Sequence, residues 1–165
     1  MNLRSEAQFQ SWFTKWLASE SADDFRSRYQ GIVYELKVVK CKVGRSGYHS
    51  WSLPPSAFKE HQLPELLRAV GMGGEGSGFL SHKISDSALG YKPCDGFALW
   101  GPPKQTDGIA MPSVASYVGV GEVGGGYAWF IPSWVVWDRY RSNKRVTREW
   151  CTENEGKGGV FKVEM

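Results

Sequence analysis

The chain has 165 residues, 41% of them apolar and 22% charged, with 8 Trp, 7 Tyr and 8 Phe. That is one domain's length, enough to bury a core without a disulfide or metal staple, and too rich in apolar rings for a solvated coil. The net charge of +3 permits a polyanionic partner without requiring one; no apolar run approaches a membrane span and MNLRSEAQFQ lacks a signal-peptide core, so a cytoplasmic protein is expected.

Residues 5–18 read as an amphipathic helix. Ser5 caps it, Gln8 completes a capping box, and Phe9, Trp12, Phe13, Trp16 and Leu17 form one apolar stripe. Glu6 lies in line with Phe13 and Leu17, which sets a carboxylate at the end of the core-facing stripe. The stretch ESADDFRSRY reads as a helix end or loop. Residues 32–40, IVYELKVVK, read as a strand with Glu35 and Lys37 on one face, roughly 7 Å apart. GRSG at 44–47 is a turn in basic surroundings. Residues 56–70 read as a helix capped by Ser56 and kinked by Pro64 near Glu60.

Beyond a Gly-rich loop at 71–78, residues 79–85 and 95–100 read as strands, and 101–113 as a long loop. Val114–Val123 and Tyr127–Ile131 form a hairpin across GGG, Ser133 caps a short helix, and VFKVEM closes the chain as a strand. This order predicts an α+β (mixed α/β) fold, a central mixed β-sheet flanked by helices within one domain spanning 1–165. Cys41, Cys94 and Cys151 are scattered, without zinc spacing, and read as buried or idle thiols.

Three elements carry candidate chemistry: Glu35 and Lys37 on a strand, Glu6 on the first helix, and Asp95 at the start of a later strand. Carboxylates hold Mg²⁺ through oxygen, and the metal lowers the pKa of a bound water. A lysine beside them steadies charge developing on phosphorus. Two residues apart on a strand, Glu35 and Lys37 can reach one phosphate.

VYELKVVK, KEHQLPELLRA and HKISDSALGYKPCDGFAL together resemble the PD-(D/E)xK nuclease superfamily, and within it the small Holliday-junction-resolvase-like proteins common in phages. The resemblance covers roughly residues 5–131. It implies a restriction-endonuclease-like fold and an Mg²⁺-dependent endodeoxyribonuclease, with Mn²⁺ as a substitute, cutting branched or junction DNA to leave 5′-phosphate and 3′-hydroxyl ends. If phage-encoded, it would work in the host cytoplasm. The expected site is Asp95 and Glu35 on the metal, Lys37 positioning water, Gln62 shaping the site and Glu6 as an outer ligand. The family usually places its Asp strand before the ExK strand; Asp95 follows Glu35, which implies a permuted order of strands. Asp24 has the usual order but no strand, and Glu122 stands as an alternative second carboxylate with Gly124 where its lysine belongs.

Lys40, Lys42, Arg45, Lys83, Arg139, Arg141, Lys144 and Arg145 are the expected DNA contacts, with Arg148 in the same basic run, and Trp51 or Trp100 could stack on unpaired bases. His61, Lys83 and Asp86 are marginal candidates, and His49 and His82 have no partner at metal spacing. Since a junction offers two equivalent strands, a homodimer is expected. The rival reading is a catalytically inactive nucleic-acid-binding module on the same fold.

Overall fold

In the computed structural model, residues 2–29, 31–69 and 114–165 are described. The helices are α1 (Glu6–Leu17), α2 (Asp23–Arg28), α3 (Gln62–Ala69), α4 (Ser133–Arg141) and α5 (Arg148–Glu153). The strands are β1 (Gly31–Lys40), β2 (Lys42–Val43), β3 (His49–Ser50), β4 (Ser52–Leu53), β5 (Val114–Val123), β6 (Tyr127–Pro132), β7 (Val146–Thr147) and β8 (Phe161–Glu164). The fold is α+β. Its main sheet has the order β1-β5-β6-β8, with β1 parallel to β5 and the other pairs antiparallel. Among the described residues two small ribbons, β2–β3 and β4–β7, are also paired.

Alternation on β1 and β5 divides the core into two faces. Leu36, Tyr117, Ala128 and Phe130 pack with Phe9 and Phe13 of α1 and with Phe25 of α2. Val118, Val120, Trp129 and Ile131 pack on the other face with Leu63, Leu66 and Leu67 of α3 and with Val136 and Tyr140 of α4. The first face is dominated by rings: Phe130 stacks on Phe13 at 5.1 Å and on Phe161 at 5.0 Å. Such contacts add to area burial by about 0.5–1.5 kcal/mol per pair.

Glycines on β5 allow α1 to approach. A Cβ on Gly121 would stand 2.5 Å from Leu3 Cδ2 and 3.0 Å from Phe9 Cδ1, and both neighbours are 0% exposed. Gly121→Ala therefore overpacks a closed region, and we expect a loss of about 1–3 kcal/mol in urea denaturation. A variant as stable as the parent would mean that α1 can lift from the sheet without penalty.

Most local expectations hold, with instructive exceptions. Ser5 caps α1 by accepting from Gln8 N–H at 3.2 Å, but the Gln8 side chain accepts from Arg4 N–H at 2.7 Å rather than from Ser5. The expected helix over 56–70 is instead a 3₁₀ turn at Pro55–Ala57 followed by α3. Pro64 falls in the first turn of α3, where a missing N–H disrupts nothing, so it starts a helix rather than kinking one. Ser133 does not cap α4; Pro132 stands at the cap, and Ser133 Oγ donates to Ser116 Oγ at 2.8 Å. Residues 23–28 are helical, and α5, which the sequence did not announce, is capped by Thr147 Oγ1. The strands expected at 79–85 and 95–100 and the loops at 71–78 and 101–113 lie outside the described residues. No helix among the described residues is long and apolar enough to cross a membrane.

Candidate active site

On β1, Ile32, Tyr34, Leu36 and Val38 pack toward α1, so Glu35 and Lys37 project to the face that α3 covers. The Lys37 side chain is 10% exposed and that of Glu35 26%. The Lys37 ammonium lies over Phe58, with Nζ 5.3 Å from the ring centroid. It lies 3.2 Å from Glu35 Oε1 and donates to Gln62 Oε1 at 3.0 Å. Gln62 Nε2 donates in turn to Glu35 Oε1 at 2.9 Å. Three residues singled out in the sequence thus form one closed triangle.

The orientation of the Gln62 amide is fixed by the backbone. Lys59 N–H can only donate, and it lies 2.8 Å from Gln62 Oε1. The amide nitrogen must then face Glu35. Gln62 opens α3, and α3 is seated by buried Leu63, Leu66 and Leu67. Ser116 Oγ of β5 donates to Leu66 O at 2.7 Å and pins the helix to the sheet. His61, next to Gln62, is exposed and outside the triangle.

Glu35 Oε1 is occupied by Lys37 and Gln62, while no described residue bonds Oε2. This leaves one hard oxygen on a partly exposed carboxylate. Mg²⁺ is commonly held through one or two carboxylates, with water and substrate phosphate filling the other positions. Glu35 alone among the triangle offers such an ion a free carboxylate oxygen, which is one ligand of the kind it takes and not a complete site. Among the described residues no group of three or more His, Cys, Asp or Glu converges as a metal cluster. Asp95, the second expected ligand, and Lys83, Asp86, His82 and Trp100 lie outside the described residues.

The other carboxylates are placed elsewhere. Glu6 is exposed on α1, which packs on the opposite face of the sheet from Glu35; the expectation that it points along the core stripe is corrected. The physical reason is its place in the first turn, beyond the reach of the stripe that Phe9 begins as the first buried residue of the helix. Asp24 is exposed on α2 and borders a cavity of about 410 Å³ lined by Phe25, Tyr29, Tyr117 and Phe161, also on the α1 face. Glu122 shares the face of Glu35 but is 1% exposed. Its Oε2 accepts from Trp51 Nε1 at 2.7 Å, Trp129 Nε1 at 3.1 Å and Arg148 Nε at 2.5 Å. Burial pushes the Arg148 guanidinium down while the bonds and charge of Glu122 push it up, and it ends above the usual arginine value. This carboxylate is committed to an internal ion pair and is closed to solvent.

The basic run is divided in the same way. Arg139 donates to Arg145 O and lies 4.6 Å over Trp150, and Arg141 lies 4.9 Å over Trp137 and 3.8 Å from Asp138. Arg148 belongs to Glu122. Lys144, Arg145, Lys40, Lys42 and Arg45 are exposed. Trp51, expected to stack on bases, is 5% exposed and bonded to Glu122, so it faces the core. His49 is half-buried on β3. Cys41 and Cys151 are free and buried, and burial pushes the Cys151 thiol up to about 12, which leaves it protonated and inert at neutral pH.

Compared with family models, curated proteins and solved structures, the chain gives no match.

Proposed function

We propose that this chain is a metal-dependent DNA endonuclease that hydrolyses phosphodiester bonds, acting on branched or junction-like DNA as a homodimer. One observation carries the reading: the Glu35–Lys37–Gln62 triangle on a nearly closed sheet face. A buried lysine is poor stabilisation even beside a partly exposed carboxylate, because its desolvation offsets the attraction. A lysine and a carboxylate kept in such a place, each hydrogen-bonded and with one carboxylate oxygen left open, match what phosphoryl chemistry needs. The mixed sheet with helices on both faces supports a restriction-endonuclease-like scaffold.

In this reading Glu35 would hold Mg²⁺, with Asp95 as the second ligand. The ion supplies charge neutralisation on the phosphate and a more acidic bound water. Lys37 stands two residues from Glu35 and positions the attacking water while meeting charge that develops on a non-bridging phosphate oxygen. Gln62 bonds to both the ammonium and the carboxylate and orients them, and Lys59 N–H keeps its amide from turning over.

The test uses the full chain with a labelled four-way junction, a linear duplex and supercoiled plasmid, each in Mg²⁺, Mn²⁺ or EDTA. Nicks that need the metal, favour the junction and can be resealed by a ligase are expected, since ligation requires 5′-phosphate and 3′-hydroxyl ends. Tight binding to the junction with no cut strand in either metal would replace this reading by that of a non-catalytic nucleic-acid-binding module.

A further inference from the structure

Beyond Lys40 the chain leaves the sheet and forms the β2–β3 hairpin. Lys42 pairs with Ser50 and Val43 with His49. The tip closes through Gly44 N–H to Tyr48 O at 2.8 Å and Gly47 N–H to Gly44 O at 3.0 Å, with Gly47 at φ +76°. The base is anchored, because Trp51 is buried, donates to Glu122, and accepts Arg148 N–H through its carbonyl at 3.2 Å. Cys41 and Trp51 pack in the same core cluster as Val118 and Val120, so the hairpin rises from the sheet face that bears Glu35 and Lys37.

Tyr48 is 51% exposed and Val43 62%, the highest values among the large apolar side chains of the described residues. Lys40, Lys42 and Arg45 are exposed, and none of them pairs with a described carboxylate. Residues 40–51 contain no Asp or Glu. A half-exposed aromatic ring on a tight turn, among cations that pair with no described carboxylate, suits a polyanion whose bases offer flat faces.

We infer that the β2–β3 hairpin is a nucleic-acid contact element in which Lys40, Lys42 and Arg45 hold backbone phosphates and Tyr48 stacks on an unpaired base. The inference deepens the reading of the chain as one that acts on DNA and rests on it. It assigns to the hairpin a preference for DNA with accessible bases over continuous duplex.

The experiment measures fluorescence anisotropy of labelled single strand, four-way junction and linear duplex in EDTA, so that binding is read without cleavage. Tyr48→Ala is expected to weaken single-strand and junction binding by about fivefold or more while changing duplex binding by less than about twofold. Tyr48→Phe keeps the ring and binds as the parent does. The double change Lys42→Gln with Arg45→Gln lowers the slope of log K against log salt by about 2 for all three DNAs. Unchanged circular dichroism and melting temperature guard against misfolding. If Tyr48→Ala binds every DNA like the parent, the hairpin inference fails and the DNA reading stands. A parent chain that binds no DNA, or binds anionic vesicles instead, overturns both. Hairpin-dependent binding with no cutting in Mg²⁺ sustains the inference and removes the nuclease reading.

Discussion

Replacing Lys37 with methionine is expected to lower DNA cleavage by about 100- to 1,000-fold, the range seen when one donor to transition-state charge is removed. The melting temperature should stay the same or rise. The two expectations follow from one geometry. Methionine keeps an unbranched apolar chain of similar length and removes the ammonium together with its contact over the Phe58 ring. Gln62 Oε1 then retains Lys59 N–H at 2.8 Å, and Glu35 Oε1 retains Gln62 Nε2 at 2.9 Å. No acceptor is orphaned, and Glu35, with its side chain 26% exposed, can be solvated. A charge leaves a site where it was costly, and exchange of buried ionic groups for apolar ones of similar size is often neutral or stabilising. Opposite responses of stability and turnover mark a group retained for chemistry. If Lys37→Met instead unfolds the chain, or cleaves the junction at the parent's rate, the ammonium is structural and the proposed mechanism fails. Junction cleavage and thermal melting on the same preparation decide it.

The triangle was legible in the sequence because its parts obey short-range rules. Alternation on IVYELKVVK places Glu35 and Lys37 on one face of β1 whatever the rest of the fold does. Gln62 required more. Its role depends on where α3 begins: as the first helical residue it can take Lys59 N–H from the turn before it, which a helix running on from Ser56 would commit to its own first turn. Pro64 holds the clue, since it is comfortable only near a helix start. Glu6 was misread for a related reason: helical periodicity gives the direction of a side chain but not the length of the surface it meets, and α1 begins to bury only at Phe9.

Glu122 and Arg148 show what pattern reading cannot reach. Locally, YVGVGEVG offers a carboxylate near the end of an apolar strand, which suits a site, a solvated strand end or an internal ion pair equally well. The choice is made by Trp51, which is 71 positions away in sequence, and by Arg148, 26 positions away, and no spacing rule joins them. Arg148 looked like one more cation in a basic run. The only local signal was negative: with Val118 and Val120 on the same face, Glu122 had to be buried and therefore paired.

That network carries the second large effect. Glu122→Ala should cost about 3–5 kcal/mol, since it leaves Arg148, 18% exposed, without its counter-charge. It also strips the acceptor from the indoles of Trp51 and Trp129, each buried N–H left unpaired costing about 1–3 kcal/mol. Against a typical total of about 5–15 kcal/mol, this is a large share of the fold. Arg148→Met should be damaging for the complementary reason, because it leaves a carboxylate 0% exposed with neutral donors alone. The double variant Glu122→Ala with Arg148→Met removes both charges together, and its loss should fall short of the sum of the single losses by about 1–3 kcal/mol. Urea denaturation reads all three as midpoint shifts with little change in slope. Additive losses would show that the two groups are not coupled as their 2.5 Å contact requires. The same variants separate architecture from chemistry: at a temperature where Glu122→Gln remains folded, it should cut junction DNA like the parent. Loss of cutting in a folded Glu122→Gln would move this carboxylate into the active site and displace Glu35 from the role argued for it.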